Sequence, residues 1–246
     1  MIKINNTETM GWDGAIHSMR NAINSKDKGD SEFCYLSCML VDDSLSKQDC
    51  NYICGASALR GFLQIGKADM KLCKSIIEAG PSDRKFMRMI HVQADVTAPL
   101  YWWEETKAYQ INTTPNSCFP METILNKEFT LDDFSIDDEI AIDDGNVCLT
   151  LKDFFLNAVA DCETLRLEYL KTKDNRYWKA LIQLLPSSYN QMKSIDLDYE
   201  TLFSIYHQHK NHKLDEWVKF CKWIETLPYM EEFLGLDKPK KKGAAV

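Results

Sequence analysis

The chain has 246 residues, with 29 Lys+Arg against 37 Asp+Glu and a formal net charge of −8; that length accommodates one large domain or two small ones around a real core. Its 45% hydrophobic and 27% charged content excludes a disordered or fibrous chain, and the acidic balance excludes a generally basic coat for gripping nucleic-acid phosphates. No run approaches the ~18 uninterrupted apolar residues of a membrane span, and Met1-Ile2-Lys3-Ile4 opens no secretion signal; the expectation is a soluble, cytoplasmic protein.

In chain order, Gly11 to Asn21 reads as a short helix after a glycine-bounded turn, with Trp12, Ile16 and Met19 at helical spacing. Asn24 to Ser31 is a polar loop. Cys34-x3-Cys38 and Cys50-x3-Cys54 offer four thiols. They lack the knuckle glycine or proline of a zinc site, and Cys34-Tyr35-Leu36-Ser37-Cys38 reads as apolar core. The nine cysteines, odd in number and scattered, are expected to be reduced thiols rather than a disulfide framework. Ala68 to Ala79 carries Met70, Cys73, Ile76 and Ile77 on one helical face and stops at Gly80-Pro81. Lys85 to Val96 shows no helical stripe and reads as a strand.

Tyr101-Trp102-Trp103 opens an aromatic element that runs to Tyr109 and meets the polar loop Asn112-Thr113-Thr114-Pro115-Asn116-Ser117, the kind of segment that carries binding residues. The aspartate-rich stretch from Leu131 to Asn146 lacks the ligand ladder of a calcium loop and reads as a solvated acidic loop. The second half is helical. One long helix carries Leu151, Phe154, Phe155, Ala158, Cys162, Leu165 and Tyr169; a second, from Tyr177 to Leu185, stops at Pro186. A third starts at Asp198 as N-cap and carries Leu202, Phe203 and Tyr206; a fourth, about Lys213 to Leu227, carries Trp217, Phe220, Cys221 and Ile224. The expected architecture is one α+β domain over 1–235, its strands concentrated in the first half, followed by a basic flexible tail over 236–246.

No phosphate-binding glycine loop, Gly-x-Gly-x-x-Gly, His-Glu-x-x-His or Gly-x-Ser-x-Gly motif occurs. His207, His209 and His212 lie close in sequence, but on a helix the first two point to different faces, so imidazoles at a helix C-terminus are the plainer account than a metal site. Of Tyr101, Trp102 and Trp103, which could stack a flavin or a base, at least two must be core or interface, because consecutive helical residues cannot all face one ligand.

The segment from Lys107 to Pro120 resembles, in spacing, the signature R-H-R-x-x-S-x-N-E-x-S-x-R-Y of the flavin-dependent thymidylate synthases. Ser117 is kept and Lys107 replaces an arginine, whereas Ala108, Tyr109, Phe119 and Pro120 depart from the pattern. Upstream, the family's strand end falls on Asp95-Val96-Thr97-Ala98-Pro99. Downstream, starting from Leu185-Pro186, its Asn-x-Arg falls on Asp198-Tyr199-Glu200 and its A-Q-x-E on Leu214-Asp215-Glu216-Trp217. The resemblance covers roughly residues 86 to 225.

It implies a mixed sheet with several long helices, a homotetramer with active sites between subunits, and methylation of dUMP or a related pyrimidine nucleotide with FAD, NADPH and methylenetetrahydrofolate. By the same resemblance Ser117 contacts substrate as the catalytic position. Lys107 holds a phosphate, and Asn112 and Tyr109 are cofactor contacts. The lost arginines imply weaker phosphate binding, or phosphate contacts supplied elsewhere, with Arg84, Lys85 and Arg88 nearby in sequence. A catalytically degenerate homologue that binds a nucleotide or another protein is the alternative, and an unrelated α+β protein the third.

Overall fold

A computed structural model of the chain describes residues 1–34, 62–109, 124–136, 141–143, 145 and 148–237. They fall into two compact units, one of Met1–Asn5 with Asp95–Ile195 and the other of Asn6–Ala94 with Asp196–Val246. Strands β1 (Lys3–Met10), β4 (His91–Pro99) and β7 (Asn190–Asp198) form a sheet in the order β1-β4-β7. Two further pairs are antiparallel: β2 (Glu32–Cys34) on β3 (Phe62–Gln64), and β5 (Ala141–Asp143) on β6 (Cys148–Thr150). Among the described residues these sheets are small, and β7 puts a strand in the half read as helical.

In the first unit, α3 (Leu100–Thr106) follows β4, and α4 (Leu151–Thr172) pairs with α5 (Asn175–Leu184). Thr150 and Asp153 close a capping box on α4, and the Asp174 side chain accepts from the Arg176 N–H to start α5. Ile124, Phe129, Phe134, Phe155, Cys162, Leu181 and Tyr189 form the core. Of the residues expected to face it from α4, Phe155 and Cys162 are buried, while Phe154 is 55% exposed. Burial pushes the Cys162 thiol up to about 11, a core thiol rather than a reactive one.

The acidic stretch is not simply a solvated loop. Asp133 is buried, accepts from the Thr130 N–H and hydroxyl, and pairs with Lys127. Phe134 beside it belongs to the core. A carboxylate can go inside here because three donors compensate it.

In the second unit, α1 (Trp12–Ala22) starts after Gly11, whose φ of 88° and whose place 2.0 Å (for an added Cβ) from the Met89 carbonyl oxygen both demand glycine. Trp12, Ile16 and Met19 are buried as their spacing predicts, and Trp12 meets Tyr199, Tyr229 and Phe233 ring to ring. Helix α2 (Lys67–Ala79) ends at Gly80. Helices α6 (Tyr199–His209), α7 (Asp215–Glu225) and α8 (Met230–Leu234) complete the unit. Asp198 caps α6 as expected, accepting from the Thr201 N–H at 2.7 Å. The expected strand over Lys85 to Val96 is half right. Arg84–Met89 is a 3₁₀ helix and the strand begins at His91. Phe86 and Met87, neighbours in this 3₁₀ helix, are both buried. Cys73 and Cys221 are core thiols pushed up to about 12 by burial. Cys38, Cys50, Cys54 and residues 238–246 of the basic tail lie outside the described residues.

Asp69, only 1% exposed, holds this unit's α1, its 25–31 segment and α2 together. Its carboxylate accepts from Arg20 Nε at 2.5 Å, from the Asp30 and Ser31 N–H groups at 3.0 and 2.9 Å, and from the Ser31 hydroxyl at 2.5 Å. Burial pushes its pKa up, but the hydrogen bonds from Ser31, Arg20 and Asp30 and the Arg20 charge outweigh that and hold it below 3.8. The stability Asp69 contributes is therefore present at neutral pH and lost as the pH falls through the folded-state value. Asp69→Ala, which strands a buried arginine, should cost about 3–5 kcal/mol in urea denaturation at pH 7. The gap to the parent should narrow as the pH drops below 3.8.

Candidate functional site

The site is built on α3 in the first unit. Pro99 precedes the helix in an extended conformation and supplies no side-chain cap. The first helical donors go instead to the chain before β7: Leu100 N–H to the Tyr189 carbonyl and Tyr101 N–H to the Ser187 carbonyl, both at 3.0 Å. Trp102 and Trp103 are 0% and 2% exposed and meet edge to face, with centroids 4.9 Å apart. They are core, so neither offers a face to a flavin or a base. The Trp103 indole N–H donates to the Gln191 carbonyl at 2.9 Å, and the Thr106 hydroxyl donates back to the Trp103 carbonyl at 2.7 Å.

The chain leaves α3 through a 3₁₀ turn, Lys107–Tyr109. Lys107 is exposed, and its ammonium donates to both oxygens of Glu104 at 2.7 and 2.6 Å. Tyr109 is half-buried. Asn112 and Ser117 lie outside the described residues.

Sequence reasoning missed Lys193. It sits on β7 at the alternation shared by Gln191, Ile195 and Leu197, all buried, and is itself half-buried. Its Nζ lies 4.6 Å from the Trp103 ring centroid and forms no ion pair or hydrogen bond with another described residue. Burial lowers its pKa and so does the Lys107 charge, with Glu104 acting in the opposite sense. The signal was a lysine at an inward strand position, legible only once 190–198 is read as a strand.

The two arginines near the motif in sequence are committed elsewhere. In the second unit Arg88 pairs with Glu200, and Arg84 lies 3.7 Å from the same carboxylate and 4.5 Å over the Phe203 ring. Glu200 thus stands, negatively charged, where the resemblance aligns an arginine. Of the three clustered histidines only His207 turns away, packing edge-on against Phe203; His209 and His212 meet ring to ring at 5.0 Å, His209 stacks on Trp217 at 4.0 Å, and His212 Nδ1 accepts from the Leu214 N–H. Among the described residues no cluster of histidine, cysteine and carboxylate side chains could hold a metal ion.

A cleft of about 480 Å³ also opens in the first unit. Its charged side chains are Lys3 and Lys127 against Asp132 and Asp133. They balance, so this cleft has no surplus side-chain cation for a phosphate. Against a flavin dinucleotide, the described residues fit poorly: the tryptophans are inside, the arginines are paired, and one lysine without a carboxylate stands beside a second that has one. That set suits one phosphate group rather than a diphosphate with a stacked ring system. Trp103→Phe, which keeps an aromatic ring but removes the indole N–H bond to the Gln191 carbonyl, should cost about 1–3 kcal/mol in thermal or urea unfolding.

No family model matches the chain, and no curated protein sequence matches it. Solved structures do. Thymidylate synthase X (ThyX) from Helicobacter pylori with FAD and dUMP is similar at 12% identity and a TM-score of 0.61, over 94% of this chain and 96% of that one. A second structure of the same enzyme with FAD and dUMP gives 12% identity and 0.58, over 94% and 97%. The UMP/dUMP methylase PolB from Streptomyces cacaoi, bound with 5-Br dUMP, gives 11% and 0.54, over 96% and 95%. At such identities the likeness establishes the fold: this chain has a ThyX-like fold along nearly its whole length.

Proposed function

We propose that this chain binds a pyrimidine nucleoside monophosphate on a ThyX-like fold, and that any methyl transfer to it is slow beside an enzyme with the full signature. The observation that carries this reading is the fold likeness to proteins solved with dUMP or 5-Br dUMP, over 94–96% of the chain. The departures at Ala108, Tyr109 and Glu200 remove the charges by which the family signature would hold substrate and cofactor, and this favours binding over rapid turnover. FAD, NADPH and methylenetetrahydrofolate enter by resemblance. In this reading Lys107 meets the nucleotide phosphate, Ser117 touches substrate, and Asn112 and Tyr109 lie against base or cofactor.

With dUMP at 100 times its Kd, the protein should gain about 2.7 kcal/mol, a rise of about 5–10 °C in melting temperature for a chain of this size. No shift would overturn the reading. A colourless preparation that takes up no added FAD would exclude the flavin-dependent reaction while leaving nucleotide binding in place. Thymidylate formation at a full, family-like rate would show that the signature is aligned to the wrong residues.

We also infer a homo-oligomer, a tetramer by resemblance, and the tryptophans do not supply a surface for it. Trp102, Trp103 and Trp217 are buried within the chain, and Trp223 is half-buried with its N–H on the Thr7 hydroxyl. Among the exposed apolar side chains of the described residues, three on α4 are Leu156, Leu167 and Leu170, at 48%, 52% and 37% exposure, with Phe154 on the opposite face. At 100° per residue the three leucines fall within one narrow stripe of α4. Light scattering should return a multiple of 28.4 kDa, and Leu167→Glu should lower the mass without unfolding the chain. A monomer mass for the parent at micromolar concentration would sink the inference.

A further inference from the structure

We propose that Lys193, together with Lys107, is the anchor for a phosphate monoester at the C-terminal end of α3. The anchor rests on the nucleotide reading for the identity of its ligand, but its own chemistry is defined by the phosphate alone.

The argument starts from the cost of the apo arrangement. An ammonium taken partly out of water is unfavourable unless something compensates it. In a chain of net charge −8 a carboxylate partner would be easy to place, yet none of the described ones pairs with Lys193. Its Nζ lies over the face of Trp103, and the charges that act on it are Lys107, of like sign, and Glu104, of opposite sign and already held by Lys107. A ring face offsets part of the desolvation; the like charge adds to the cost.

The arrangement is also held in place. Trp103 is fixed by its hydrogen bond to the Gln191 carbonyl, two residues before Lys193 on the same strand. Ring and ammonium are therefore positioned by one tether, and little is left to order when an anion arrives. Lys193, Lys107 and Glu104 together carry one net positive charge. A phosphate monoester answers this: its oxygens accept from both ammoniums, its charge replaces a repulsion by two attractions, and it lets Glu104 turn to solvent. In the 480 Å³ cleft the side-chain charges balance.

The test is calorimetric titration of the full chain with dUMP, deoxyuridine and inorganic phosphate. The expected result is that dUMP binds much more tightly than deoxyuridine and that phosphate competes. Lys193→Gln should weaken dUMP about 10- to 100-fold, with Lys193→Arg retaining most of the affinity and the exposed Lys219→Gln changing nothing. Stability separates an anchor from a structural lysine. Ligand-free Lys193→Met should melt at or above the parent temperature and lose the stabilisation by phosphate, whereas a structural lysine would melt lower. If phosphate binds through Lys193 but dUMP binds no better than phosphate, the anchor stands and the pyrimidine reading falls. If dUMP binds equally to parent and Lys193→Gln, the pyrimidine reading stands and the anchor is overturned. Binding of neither ligand overturns both.

Discussion

Everything at the candidate site depends on how a helix begins without a cap. Pro99 brings β4 to its end in an extended conformation and leaves α3 with orphan donors. Those donors find the carbonyls of Ser187 and Tyr189, and one turn later the Trp103 indole finds that of Gln191. Three hydrogen bonds at successive points along 187–191 fix the helix against the start of β7. Because the third runs through a side chain, they also fix where the Trp103 ring presents its face. Lys193 and the Lys107 turn inherit their positions from that attachment.

The second unit solves a related problem with charge. Its α2 also lacks a local side-chain cap, Gly66 standing at the N-cap position. The Asp30 carboxylate supplies one from a distance, accepting from the Ala68 and Asp69 N–H groups at 2.8 and 2.9 Å. Asp69 returns the contact to the Asp30 and Ser31 backbone and takes Arg20 as its counter-charge. A Cβ at Gly66 would lie 2.2 Å from Asp30 atoms, so the absence of a side chain is what lets the distant carboxylate reach the helix end.

What was legible in the sequence is what local chemistry decides. Asp198 as a cap, the stop at Gly80, and the buried faces carrying Trp12, Phe203 and Phe220 needed only spacing and neighbours. β7 was hidden because two of its inward positions are Gln191 and Lys193, which erase the apolar alternation that marks a strand. Residues 85–90 misled for the opposite reason: absence of a helical stripe is also what a 3₁₀ turn gives. At the site, Lys107 and Tyr109 came through resemblance in spacing. Lys193 could not, because its meaning lies in a ring ninety residues earlier in the chain, brought to it by the fold.

The fold likeness and the departed signature letters are reconciled by the strengths of the ion pairs involved. Arg88 and Arg84 share Glu200, whose side chain is 12% exposed. Removing a partner from so sheltered a carboxylate leaves it uncompensated, so these arginines are not free to serve an incoming phosphate. Lys107 and Glu104 are different, since both side chains are 68% exposed. Exposed pairs of this kind are worth about 0–1 kcal/mol, less than the ~1.5–3 kcal/mol of a charge-assisted hydrogen bond in a sheltered setting. A phosphate that also meets Lys193 can therefore take Lys107 from Glu104 at little cost. Under the proposed reading a phosphate would meet Lys193 and Lys107, while Arg84 and Arg88 stay committed to Glu200.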